Sequence, residues 1–94
     1  MSIKLYVEFV AKPGKGDDLA KIFAAVSPQV RAGDAGCEGY ELYRSTESPE
    51  KFYMIESWAS AADLEAHGKS PAMAGLAGMR DLLAGAPVMN RYES

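Results

Sequence analysis

FYMIESW, residues 52–58, predicts a strand with two largely apolar faces, and the rest of the fold can be inferred from it. Successive side chains of a strand point to opposite sides of the sheet. One side therefore carries Phe52, Met54, Glu56 and Trp58, and the other carries Tyr53, Ile55 and Ser57. A strand with this pattern is expected inside a sheet and covered on both sides.

Three further strands surround this one in the sequence. Residues 3–11, IKLYVEFVA, alternate strictly between two faces and predict the first strand. Residues 39–45 predict the second strand, and the tight turn that follows leads directly into FYMIESW. Residues 87–92, PVMNRY, predict a last and weaker strand.

Three segments with helical periodicity separate or follow these strands. Between residues 17 and 33 apolar side chains recur at the spacing of an amphipathic helix. Ser60 is a predicted N-cap, with Asp63 at the capping-box position, for a second helix that ends near Gly68. A third helix is predicted from residue 70 to residue 85, with Pro71 in its first turn.

The resulting order, β-α-β-β-α-α-β, predicts an α+β fold of the ferredoxin-like type in a single domain, residues 1–94. The arrangement expected for this order is a four-stranded antiparallel sheet with the helices on one face and the first and third strands at the centre. Helices on one side leave the other side of the third strand uncovered. We therefore expect a homodimer in which a second copy packs its sheet against the first.

Composition excludes several classes of function. The chain has 10 basic and 13 acidic residues, without a basic cluster, so nucleic acid is not an expected partner. One histidine and one cysteine do not suffice for a structural zinc site, so no metal is predicted. No apolar run approaches the length of a membrane span, and no signal segment is visible at the N-terminus. These features predict no membrane association and a cytoplasmic location.

The only tryptophan and the only histidine are the first candidates for a site. Trp58 ends the third strand, and His67 shares a helix face with Leu64, so both side chains are predicted to border one cavity. Each has an alternative interpretation. Trp58 is then a large core residue, and His67 is a partly buried histidine bonded to a backbone carbonyl.

Glu56 is the third candidate, because it shares the face of Trp58 on a strand predicted to be central. Burial would raise the pKa of its carboxyl group and suit it to act as a base. The alternative is a salt bridge to Lys4, Arg44 or Arg91, either within the chain or across the dimer.

Five side chains are predicted to bind substrate around these three. They are two tyrosines with inward hydroxyl groups (Tyr43 and Tyr53), an apolar helix residue (Leu64), an adaptable methionine (Met73) and a polar donor on the last strand (Asn90). Packing within the strands is the alternative for the tyrosines, and solvation of an edge strand is the alternative for Asn90.

Three segments together resemble the antibiotic biosynthesis monooxygenase domain: FVAKPGKGDDL, GCEGYELYRSTESPEKFYMIESWAS and LEAHGKSPAM. The most specific parts are E-x-W at Glu56 and Trp58 and A-H-x-x-S-P at residues 66–71. The resemblance covers nearly the whole chain. It implies a dimeric α+β barrel, in a group that includes quinol monooxygenases and haem-degrading enzymes.

The resemblance also implies a chemistry that needs no cofactor. A phenol or hydroquinone loses a proton, and its anion reduces O2 directly in a dry aromatic pocket. We therefore predict a cofactor-independent monooxygenase acting on a small aromatic quinol or phenol, with His67, Trp58 and Glu56 as catalytic residues. A non-catalytic small-molecule-binding or stress-response dimer stays open. Haem degradation ranks lower, because the first strand lacks the asparagine that the resemblance implies for it.

Overall fold

The four strands form one antiparallel sheet. The computed structural model describes residues 1–94, and its strands are β1 (Ile3–Val10), β2 (Cys37–Arg44), β3 (Lys51–Trp58) and β4 (Val88–Glu93). Their order across the sheet is β2-β3-β1-β4. The predicted ferredoxin-like α+β fold is confirmed, and β1 and β3 occupy the two central positions.

The helices lie on one face of this sheet. Helix α1 spans Gly16–Gly33 and begins with Asp17 and Asp18, whose charges favour a helix N-terminus. Helix α2 is short, spanning Ala61–His67. Neither is long and apolar enough to cross a membrane.

The segment after α2 differs from the predicted third α-helix. It forms two short 3₁₀ helices, Pro71–Leu76 and Met79–Leu82. Gly75 packs so closely on α1 that a Cβ atom there would come within 2.5 Å of the Val26 Cγ2 methyl. Glycines have poor helix propensity, and Gly78 separates the two 3₁₀ helices. The glycines therefore let this segment pack closely on α1 but do not favour a regular α-helix.

The helix-covered face of the sheet holds the hydrophobic core. Alternate residues of the two central strands are buried there against the apolar stripe of α1. This core includes Phe9, Phe52, Met54 and Trp58 from the strands and Leu19, Phe23, Val26 and Val30 from α1. Each such side chain contributes about 1.5–3 kcal/mol when it is fully buried. Burial of this stripe positions the C-terminal end of α1 above the end of β3.

The opposite face of the sheet is rich in tyrosine and has no helix over it. Tyr6 stacks on Tyr53 with 6.2 Å between ring centroids and meets Tyr92 edge-on at 5.5 Å. Tyr53 and Tyr92 remain 40% and 55% exposed. We call this surface, made of Tyr6, Tyr43, Tyr53, Ile55 and Tyr92, the tyrosine face.

A side-chain cap at Ser60 starts α2. The Ser60 hydroxyl accepts a hydrogen bond from the Asp63 backbone N–H at 3.2 Å and donates to the Asp63 carboxylate at 2.9 Å. A seven-residue helix has little stability of its own, so this cap and its packing hold it in place. The consequence is a defined position for His67, its last residue.

Gly36 should tolerate substitution less well than Gly14, which has a similar backbone conformation. The φ of Gly36 is +78°, and an added Cβ would overlap the Asp63 side chain, whereas Gly14 has φ +79° with nothing within 4 Å. Gly14→Ala should lower the free energy of unfolding by about 1–2 kcal/mol, because alanine is strained in the left-handed backbone conformation. Gly36→Ala should lower the free energy of unfolding further, because it also displaces the Ser60–Asp63 cap. Urea unfolding of both variants checks this, and equal losses would contradict it.

Candidate functional site

His67 lies at the centre of a buried cluster. Its side chain ends α2 beneath the end of β3 and is only 6% exposed. Its ring lies 4.5 Å from the Trp58 ring between centroids, at an interplanar angle of 31°, and 5.4 Å from Tyr40, which it meets edge-on. Two aromatic residues therefore restrict the orientation of the imidazole.

Asp34 binds one nitrogen of this imidazole. The His67 Nδ1 atom lies 2.6 Å from Asp34 Oδ2, and the Ser70 hydroxyl donates to the same oxygen at 3.0 Å. Asp34 immediately follows α1, so the cluster joins the C-terminal end of that helix to the end of α2. The two donors compensate the burial of the carboxylate.

Glu56 lies on the other side of the imidazole. The Trp58 indole N–H donates to Glu56 Oε1 at 3.0 Å, and His67 Nε2 is 3.9 Å from the same oxygen, too far for a direct hydrogen bond. Within the chain Glu56 forms no salt bridge to a lysine or an arginine, which was the alternative interpretation. Lys4 instead donates to Ser57 Oγ, Arg44 pairs with Asp17, and Arg91 forms no salt bridge.

Burial changes the acidity of several groups in this cluster. Loss of solvent raises the pKa of Glu56, an effect that the indole hydrogen bond and the nearby His67 only partly offset. Burial also raises the pKa of the Tyr40 hydroxyl, with a further contribution from the Glu56 charge. The pKa of the Cys37 thiol is raised as well, chiefly by burial, which disfavours a reactive thiolate there.

An apolar cavity of about 260 Å³ adjoins the cluster. Eleven of its 15 lining residues are hydrophobic, and none is a lysine or an arginine. The hydrophobic ones come from the sheet, from α1 and α2 and from the 3₁₀ segments: Leu5, Val7, Phe9, Phe23, Tyr40, Met54, Leu64, Met73, Leu76, Met79 and Met89. No group of three or more His, Cys, Asp or Glu side chains is arranged to hold a metal ion.

Four of the predicted site residues border this cavity. Glu56 and His67 supply its polar wall, and Leu64 and Met73 belong to its apolar wall. Trp58 does not line it, contrary to expectation. This side chain is completely buried and packs against His67, and its indole N–H holds Glu56. Its position indicates that Trp58 orients the two polar residues without forming a wall for a ligand.

Tyr43, Tyr53 and Asn90 lie away from the cavity, so the prediction that they bind the same ligand as His67 is corrected. Tyr53 alternates with the buried Met54 and pairs with Tyr43 across the strands, and Asn90 pairs with Tyr6. All three therefore lie on the opposite side of the sheet. The two tyrosines border a larger depression of about 510 Å³, which is open to solvent and crossed by the Lys51–Glu8 salt bridge.

Two site residues were missed by the sequence reasoning. Tyr40 reaches the cavity because it pairs with Glu56 across β2 and β3, after a β-bulge between Cys37 and Gly39. A strand register can be inferred from sequence, but the bulge changes which residues face inward. Asp34 is 33 residues away from His67, and no local motif links the two.

Replacement of Glu56 by glutamine should stabilise the protein at neutral pH. The pKa of Glu56 is raised above its ordinary value of 4.5 in the folded state, so folding favours the protonated form. The wild-type protein therefore loses stability as pH rises from about that value through the folded pKa. The glutamine side chain stays neutral and can still accept from Trp58, so Glu56→Gln should melt at a higher temperature above this window.

Melting curves of both proteins between acid and neutral pH measure this difference. The difference in melting temperature between Glu56→Gln and the wild type should disappear below the ordinary glutamate pKa. The exposed Glu47→Gln is the control and should follow the wild-type curve. If Glu56→Gln melts below the wild type at every pH, the carboxylate is stabilised in its charged form and the assignment is wrong.

Comparisons with known proteins agree with this fold. A protein of known structure from Caulobacter crescentus CB15, a proposed antibiotic biosynthesis monooxygenase, superposes with a TM-score of 0.91 at 29% identity, over 99% of this chain and 89% of that one. PA3566 from Pseudomonas aeruginosa gives 0.88 at 26% identity, over 99% and 93%. A proposed antibiotic biosynthesis monooxygenase from Nitrosomonas europaea gives 0.92 over 99% and 89%, but at 16% identity it shows the fold alone.

A match to a protein-family model covers most of the chain. No curated protein matches it. The family model described as "Antibiotic biosynthesis monooxygenase" matches residues 2–77, which include β1 to β3, both α-helices, and every residue of the cluster around His67. The chain belongs to the antibiotic biosynthesis monooxygenase family.

Proposed function

We propose that the protein is a cofactor-independent monooxygenase that oxidises a small, neutral quinol or phenol with O2. The observation that carries this proposal is the position of His67. One nitrogen of its imidazole contacts a buried carboxylate, and the other side of the ring borders an apolar cavity. A histidine placed in this way can accept a proton from a ligand hydroxyl.

The lining of the cavity supports a neutral aromatic ligand. Its side chains are mostly hydrophobic, and it contains no lysine or arginine to bind a carboxylate or phosphate group. Its volume, about 260 Å³, is at the small end for ligand sites and favours one or two rings.

In the proposed reaction, His67 takes the proton of a substrate hydroxyl. The substrate O–H bond breaks, an Nε2–H bond forms, and the imidazolium charge is stabilised by the carboxylate of Asp34. The electron-rich anion then reduces O2 directly. A hydroquinone and O2 yield a hydroxyquinone and water, so the substrate supplies all four electrons and no external reductant is required.

Glu56 and Trp58 support that step. Glu56 borders the cavity, and its raised pKa keeps its carboxyl protonated to a higher pH than that of an exposed glutamate. While protonated it can donate a hydrogen bond to the substrate anion or to the reduced oxygen. We assign Trp58 an indirect part, since its indole N–H orients Glu56 and its ring restricts that of His67.

We further propose that two copies associate through the tyrosine face. Support comes from its composition, since Tyr6, Tyr53, Ile55 and Tyr92 place an apolar and aromatic surface on the side of the sheet opposite the helices. Exposed aromatic surfaces of this kind are enriched at protein interfaces. A second sheet packed on this face would give the dimeric barrel that the family resemblance implies.

Oxygen consumption in the presence of a panel of hydroquinones, without added metal or flavin, tests the activity. The wild type should consume O2, and His67→Ala should lower turnover by about 10²-fold or more, the usual scale for loss of a positioned acid or base. Lys69→Ala, an exposed change two residues away, should leave turnover unchanged.

Two results would contradict the monooxygenase proposal. One is full turnover by a folded His67→Ala variant. The other is no O2 consumption by a wild type that binds hydroquinones, which would favour a non-catalytic binding protein with the same cavity.

Sedimentation tests the association. Ile55→Glu places a charge on the tyrosine face and should reduce the particle mass at micromolar concentration from about twice the chain mass to the monomer value. Ala25→Glu, on the exposed side of α1, is the matched control and should not change the mass. A wild type that sediments as a monomer would exclude this interface.

A further inference from the structure

His67 separates two hollows of the protein. The first is the apolar cavity described above. The second is a small depression of about 180 Å³ on the other side of the ring, bordered by residues 33–35, Ala66, Ser70 and Pro71. His67 is the one residue that lines both hollows. The two nitrogens of its ring therefore face different environments.

The contact with Asp34 determines which nitrogen carries the proton. An ionised carboxylate only accepts hydrogen bonds, so the 2.6 Å contact requires a hydrogen on His67 Nδ1. Ser70 also donates to this carboxylate, and Asp34 borders the outer depression and does not line the apolar cavity. In the neutral ring, Nε2 is then left without a proton, and it is the nitrogen nearer Glu56 and the cavity.

We propose that Asp34 is a positioning residue that holds His67 in the Nδ1–H tautomer, so that Nε2 is available as a base on the cavity side. The carboxylate acts through the imidazole and does not touch the substrate. Its catalytic consequence rests on the function proposed above, because it matters only if His67 accepts a substrate proton. The tautomer itself is a property of the free protein and can be measured without turnover.

Asp34→Asn is the direct variant. An asparagine has nearly the same shape, but its amide N–H can donate to Nδ1, which would move the ring proton to Nε2. An imidazole with that proton cannot accept another on the cavity side. Ser70→Ala is the matched control, because it removes the second donor to Asp34 and leaves the Asp34–His67 contact in place.

Nitrogen-15 NMR of the imidazole reads the tautomer without ambiguity, because the chain contains a single histidine. At a pH where the ring is neutral, the wild type and Ser70→Ala should show a protonated Nδ1 and an unprotonated Nε2. Asp34→Asn should exchange the two. A wild type with the proton on Nε2 would overturn the proposal, and so would an Asp34→Ala variant, which offers Nδ1 no acceptor, that retains the proton on Nδ1.

Kinetics then separate this proposal from the proposed function. If hydroquinone oxidation occurs, Asp34→Asn should lower kcat by about 10²-fold or more, as loss of the correctly protonated base does. Its KM should change little, since the cavity wall is intact. Absence of wild-type turnover contradicts the monooxygenase function only, and the nitrogen shifts still decide the role of Asp34. Should Asp34→Asn fail to fold, the wild-type spectrum alone gives the result.

Discussion

The buried polar chain from Asp34 through His67 to Glu56 and Trp58 is the interaction on which the rest of the site depends. It links the end of α1, the end of α2 and the end of β3. Removing such groups from water is costly, and each is kept only because a partner satisfies it. No buried side-chain polar atom in the structure lacks a hydrogen-bond partner. The orientation of each group therefore depends on its neighbour.

The apolar cavity makes these linked polar groups a possible binding site for a ligand. Without it, a histidine between two carboxyl groups would be a structural feature of the core. With it, the imidazole and Glu56 become the polar end of a mostly hydrophobic space. Methionine side chains form much of the wall, and their flexibility allows such a space to adapt to a ligand. The open side of the sheet performs a different task, which we assign to association.

Much of the fold could be predicted from local patterns. Apolar residues that recur every 2 residues in a strand, or every 3.6 residues in a helix, show which side chains face the core. The same alternation already assigns Tyr53 to the side opposite Glu56, so its proposed place beside His67 was inconsistent with the strand pattern. Asp34 and Tyr40 could not be found in this way, since long-range packing and a bulge bring them to His67. The apolar stripe after Pro71 has the spacing of an α-helix, but Gly75 and Gly78 weaken such a helix, and the close contact of Gly75 with α1 cannot be read from the sequence.

The proposed reaction requires that a neutral aromatic ligand bind in the cavity beside His67. Methionine methyl NMR tests it most directly, because Met54, Met73, Met79 and Met89 line the cavity, whereas Met1 is exposed and lies outside it. Titration of hydroquinone under anaerobic conditions should shift the four cavity methyl signals and leave that of Met1 unchanged. Unchanged cavity signals at saturating hydroquinone would contradict the account.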